Sequence, residues 1–230
     1  IILFTISFNL AKKRSTPVNG FEKQELEAQG MMSRLFGSKP GHNALVEINN
    51  FLAESTAATE LTEEIVSNFI KNWGAKFDSS NIEYRSSMYR KVADYVYINA
   101  VSKDDPVFEE ARHLAQVLEL PEKLQRLADN GAKKVAYFSR CRKIISGEEP
   151  LTISEINTVF GYDYEDGYDI RVQVFHDYLN KKFDEIAEQQ RFSPDEETAL
   201  REICTKLDIP YEFKPNIQNA LDKYLSLIHI

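Results

Sequence analysis

The chain is poor in the residues that build turns and cross-links. Two cysteines, nine glycines, eight prolines and one tryptophan are spread over 230 residues. So little Gly and Pro argues against a β-sandwich, whose many short strands each need a turn. Cys141 and Cys204 stand far apart, with no Cys-x-x-Cys. That usage suits a reducing compartment and leaves one disulfide open. Cys204 lies beside Ile203 on a core-facing stretch and reads as a small buried hydrophobe. Chemical motifs are missing too. There is no His-Glu-x-x-His, no Gly-x-Ser-x-Gly and no Walker-type glycine loop. His42 falls in the breaker GSKPGHN, and His113 and His176 are single residues on helical stretches. Each reads as a satisfied histidine rather than a ligand. No enzyme is expected.

Charge excludes a further class. The formal net charge is -8. Residues 1–40 run the other way, with Lys12, Lys13, Arg14, Lys23, Arg34 and Lys39 against Glu22, Glu25 and Glu27. The remainder is therefore more acidic than the whole. Such a body repels a phosphate backbone, so nucleic acid is not an expected partner. The content of 43% hydrophobic and 28% charged residues is ordinary for a soluble globular protein. A chain of this length can bury a core without disulfides or metal.

What the chain has is helical periodicity. Residues 89–135 read as helix, acidic turn, helix, Leu-x-Leu-Pro, helix. Residues 178–224 repeat this more weakly. Leu114, Leu118, Leu120, Pro121 and Leu124 match Ile203, Leu207, Ile209, Pro210 and Phe213 at one constant offset, as Tyr89 matches Tyr178. Asp105-Pro106 and Ser193-Pro194 open the second helix of each copy, one residue out of step. Asp105 and Ser193 are expected as N-caps, with Pro in the first turn. Ser193 and Glu196 have capping-box spacing. The expected fold is an all-α helical bundle containing two related helix-turn-helix units.

Four stretches divide the chain. Residues 1–20 hold an apolar run, IILFTISFNL, then Lys12-Lys13-Arg14 and a short linker. Positive charge after the apolar run fits the cytoplasmic end of a truncated membrane anchor, so residues 1–14 are a candidate membrane contact. Residues 21–74 are expected as N-terminal helices. The first, over 21–36, places Leu26, Met31 or Met32, and Leu35 on one side. The next two use Leu45, Ile48 and Leu52, then Ile65, Phe69 and Ile70, stopping at Gly74. Residues 75–224 hold the duplicated region. Residues 225–230, LSLIHI, resemble the translation of a transposase adaptor and are expected to be a non-native tail.

Carboxylates supply the candidate sites. GYDYEDGYD at 161–169 invites a calcium reading, but with Gly167 as the sixth loop position Tyr162 and Tyr164 occupy ligand places and Gln173 replaces the closing Glu. The motif fails, and a Tyr-rich surface loop is expected. Asp104, Asp105, Glu109 and Glu110 form one acidic turn, and Asp195, Glu196 and Glu197 another. Acids at a helix start complement the macrodipole. Alternatively Asp104, Asp105, Glu109, Asp195 and Glu196 ligate a divalent cation, the one cofactor in view.

Residues 100–124 (AVSKDDPVFEEARHLAQVLELPEKL) and 189–213 resemble the tellurite-resistance TerB-like helical domain. That family pairs helices around an acidic turn, followed by a Leu-rich helix ending in Leu-x-Leu and another helix. The resemblance covers about half the chain. The Gly usual in the acidic turn is absent here, with Lys103-Asp104 and Phe192-Ser193 in its region. The resemblance implies a non-enzymatic helical module found near membranes in stress or chaperone-linked systems. No J-domain His-Pro-Asp is present. The expected function is a cytoplasmic, membrane-proximal protein-interaction module without catalysis. The alternative is a divalent-cation-binding stress protein.

Overall fold

Three of the described helices begin where a side chain, Thr62, Thr152 or Ser193, takes over a first free N–H group. A computed structural model describes residues 20–28, 39–162, 164–189, 192–212, 219 and 222. Among these the regular structure is helical: α1 (His42–Glu54), a 3-10 turn (Ala58–Glu60), α2 (Glu63–Trp73), α3 (Ile82–Asn99), α4 (Phe108–Val117), α5 (Glu122–Ser146), α6 (Ile153–Phe160), α7 (Tyr164–Glu188) and α8 (Pro194–Lys206). No strand occurs among them, so the all-α expectation holds. Residues 1–14 and the tail 225–230 lie outside the described residues. Among the described residues, no helix is long and apolar enough to cross a membrane.

Local chemistry explains most boundaries. Thr62 caps α2, its hydroxyl accepting from the Ile65 N–H at 3.3 Å, and Gly74 ends that helix at φ 62°. Thr152 and Glu155 form a reciprocal capping box on α6. Ser193 and Glu196 do the same on α8, with Pro194 in its first turn. Asp105 departs from its expected place. α4 starts at Phe108, and both Asp105 carboxylate oxygens are already taken, one by the Val107 N–H and one by the Val101 N–H, each at 2.9 Å. Asp105 therefore ties the loop before the helix instead of capping it.

The chain divides into two compact units, residues 1–133 and 134–230, with the boundary inside α5. The boundary read at 74/75 falls within the first unit. In that unit α1 packs on α2 and α3, and α4 packs on α3 and on the 3-10 turn. Leu45, Ile48, Leu52, Leu61, Met88, Val92, Val96, Leu114 and Leu118 are buried there. One face of α4 is bonded to what precedes it. Glu110 accepts from the Ala58 N–H at 3.1 Å, His113 Nε2 donates to the Leu61 carbonyl at 2.8 Å, and Gln116 donates to Glu63 at 2.9 Å. Positions 110, 113 and 116 share a face because helical neighbours recur every three to four residues.

The second unit buries Tyr137, Cys141, Ile153, Ile156, Phe175, Leu200, Ile203 and Leu207 in one cluster. The expected Tyr-rich loop is largely helix, since α7 already begins at Tyr164. Gly167 lies against the Tyr137 ring, where an added Cβ would stand 2.6 Å from the hydroxyl oxygen. That contact, not flexibility, is what places a glycine inside the helix.

The ends of α4 and α8 match closely. Glu119 and Asp208 have φ of 48° and 50°, the only positive values at non-glycine positions among the described residues. The Leu120 N–H bonds the Ala115 carbonyl and the Ile209 N–H bonds the Cys204 carbonyl, both at 3.0 Å. Both are Schellman closures, each followed by proline. Leu118 and Leu207 are fully buried, and Leu120 and Ile209 nearly so. Residues 213–218, where the second copy would continue, lie outside the described residues.

Candidate functional site

α1 (HNALVEINNFLAE) is an apolar helix with three asparagines, at 43, 49 and 50. Asparagine is a mediocre helix former, because its amide competes for nearby main-chain groups. Asn43 and Asn50 are seven residues apart, two helical turns, and so share a face. Along that face lies the segment Phe21–Ala28.

The bonding is to main chain. The Asn43 amide accepts from the Glu27 N–H at 2.8 Å and donates to the Glu27 carbonyl at 3.0 Å. The Asn50 amide treats Gln24 the same way, at 2.7 Å and 2.9 Å. Asn49 donates to the Glu22 carbonyl at 2.7 Å. Seven helical residues rise ~10.5 Å. Three residues of extended chain span ~10 Å, whereas three helical residues rise only ~4.5 Å. Only an extended segment matches the two amides, and it runs antiparallel to α1. The helix expected over 21–36 is therefore overturned for residues 21–28, and residues 29–38 lie outside the described ones. FEKQELEA has good local helix propensity, but its main-chain groups are taken by amides on α1.

Side chains of the segment contribute unevenly. Phe21 is 8% exposed, with Lys91 Nζ 5.0 Å from its ring centre. Residues 22–28 are all exposed. Tyr84 donates to the Gln24 side chain at 2.7 Å, and Lys23 pairs with Glu54. Burial raises the Tyr84 pKa, so the phenol stays protonated as a donor. The site thus holds main chain at three residues, Glu22, Gln24 and Glu27, and one aromatic anchor. Asn43 and Asn49 are 0% and 1% exposed beneath it. Ordering a residue's backbone costs about 1–2 kcal/mol, while a net hydrogen bond returns ~0.5–1.5 kcal/mol. A segment with seven exposed side chains is therefore held lightly.

The acidic turns are arranged differently from a metal site. Asp104 and Asp195 are exposed, and Glu109 pairs with Arg112 at 2.6 Å. Asp105 and Glu196 accept main-chain N–H groups. Among the described residues, no group of three or more His, Cys, Asp or Glu side chains could hold a metal ion. Burial pushes the Cys141 thiol up to about 12 and the Cys204 thiol up to about 11, so both stay protonated at neutral pH. Arg171 is fully buried in the second unit and donates to the Tyr137 hydroxyl at 3.1 Å. Arg140 pairs with Glu149 at 3.1 Å and stacks 3.8 Å from the centre of Phe160. The first unit also has a cleft of about 560 Å³ between α2 and the end of α4, floored by Val66, Ile70 and Phe77.

Sequence reading passed over Asn43, Asn49 and Asn50. Their signal was three asparagines on one short apolar helix, two of them a whole number of turns apart. No protein-family model, curated protein or solved structure matches the chain.

Proposed function

We propose that this chain is a helical protein-interaction module with no chemistry of its own, working in the cytoplasm beside a membrane. The observation that carries the reading is the asparagine clamp on α1. A primary amide that both accepts from and donates to one residue reads main chain and ignores the side chain. Such a device suits recognition of extended segments, as sheet-edge pairing does in other folds. The membrane-proximal part rests on residues 1–14, where Lys12, Lys13 and Arg14 follow an apolar run. The TerB-like cadence of residues 100–124 and 189–213 supports a non-enzymatic module.

Hydrogen exchange on the full chain tests the clamp. Asn50→Asp is nearly isosteric but loses the donor and sets a carboxylate against the Gln24 carbonyl. The Gln24 and Glu27 amides should be protected in the parent and lose at least ten-fold protection in the variant, with α1–α4 unchanged. Equal protection in both proteins sinks the reading.

A further inference from the structure

The segment on α1 has the character of a ligand. It is held through main chain, its side chains from residue 22 onward face solvent, and one aromatic ring fixes its start. Beyond Phe21, the contacts that depend on the sequence FEKQELEA are the Tyr84–Gln24 hydrogen bond and the Lys23–Glu54 pair, both at the exposed surface. Another extended peptide offering the same main-chain positions would keep the amide contacts of Asn43, Asn49 and Asn50. If the segment leaves, Asn43, Asn49 and Asn50 turn to water or to another chain.

We propose that the α1 face is a peptide-binding groove that residues 21–28 occupy in cis, and that its partner is an extended peptide from another protein. This rests on the clamp reading above. The peptide enters antiparallel to α1. It carries a large apolar residue at its first position, in the place of Phe21. It offers a carbonyl one residue later and both N–H and carbonyl at the fourth and seventh positions, the places of Gln24 and Glu27. Proline is excluded from the fourth and seventh positions, because each must donate an N–H. A basic residue at the third position facing Glu54 and an acceptor at the fourth for the Tyr84 hydroxyl add to the fit, and the remaining side chains are unrestricted. Because the cis segment is tethered, it competes at an effective concentration on the order of millimolar, so the parent chain binds the external peptide weakly.

The test uses a fluorescein-labelled peptide of residues 20–28 and fluorescence anisotropy against three full-length proteins. These are the parent, a Phe21→Ala variant that loosens the cis segment, and Phe21→Ala combined with Asn50→Asp. The peptide should bind Phe21→Ala at least ten-fold more tightly than the parent. Adding Asn50→Asp should weaken it at least ten-fold, and a peptide with proline in place of Gln24 should not bind. Because Phe21 is buried, Gln24→Pro in the chain itself is a second cis-loosening variant at an exposed position, and it should raise peptide affinity likewise. Hydrogen exchange on the same proteins separates the two failures. A cis segment that is released while the peptide binds no better than to the parent overturns this proposal and leaves the clamp reading intact. Amides that stay protected in Asn50→Asp overturn both. Binding that survives the proline substitution shows that main chain is not what the groove reads, and also overturns the proposal. A wild-type dimer abolished by Phe21→Ala assigns the groove to a second copy of this chain and overturns it as well.

Discussion

Replacing Arg85 by methionine should unfold the first unit well before the second. Arg85 is 4% exposed and closes the end of α4. Its Nη1 donates to the Leu118 carbonyl at 2.7 Å and the Glu119 carbonyl at 3.1 Å. Its Nη2 reaches the Asp78 carbonyl at 3.0 Å, and Nε reaches Asn81 Oδ1 at 2.9 Å. The guanidinium also lies 4.5 Å from the centre of the Phe77 ring. Burial lowers its pKa, and the nearby Glu119 and Asp78 charges oppose that. Methionine keeps much of the stem but none of the donors. Glu119 is exposed, so its carbonyl regains water. The Leu118 carbonyl is in the buried part of the contact and does not, which costs ~1–3 kcal/mol. Losing the ring contact adds about 0.5–2 kcal/mol. Release of a desolvated cation returns part of this, so the net loss should be about 1–4 kcal/mol. Arg85→Lys should lose roughly half as much, since one ammonium has no fork with which to reach the Leu118, Asp78 and Asn81 acceptors together. Urea unfolding followed by Trp73 fluorescence reads this directly, because the single tryptophan lies in the first unit. If Arg85→Met unfolds within ~0.5 kcal/mol of the parent, a shift typical of an uninvolved surface substitution, the guanidinium does not hold the helix end.

Leu118→Ala and Leu207→Ala should each cost about 2–5 kcal/mol, since both side chains are fully buried beside equivalent Schellman closures. Thermal melts check this, and a parent-like melt for either would show that its helix end tolerates the cavity. Gly167→Ala should destabilise the second unit by roughly 1–3 kcal/mol, because the buried Tyr137 ring must give way. The gain in helix propensity, about 1 kcal/mol, points the other way, so a stabilised variant would show that the ring moves freely.

What was legible in the sequence was local. Ser193 could be picked out as a cap, and Gly74 as a stop, because the groups they satisfy lie within a turn of them. The outcome differed where distant residues decided. FEKQELEA has the composition of a helix, yet Asn43 and Asn50 compete for its main chain from far along the sequence. Gly167 reads locally as a breaker, but the structure sets it inside α7 against a tyrosine from α5. Asp105 looked like a cap because it precedes a proline and an apolar run. Its second oxygen, bonded to the Val101 N–H, shows that the loop behind it claims the same carboxylate.

The likeness between α4 and α8 has the same division within it. Their ends agree in buried leucines, in a left-handed non-glycine residue and in the closing hydrogen bond, all at one offset. Their docking faces do not. Glu110, His113 and Gln116, which bind α4 to the 3-10 turn and α2, correspond to Ala199, Glu202 and Thr205. A helix end is specified by five or six consecutive residues, so matching ends need only matching local sequence. A docking face is specified by its neighbour. The offset that links the two segments is therefore a statement about how these helices stop. It carries no implication that they meet similar partners, and the asparagine clamp, found on α1 outside both segments, follows that separation.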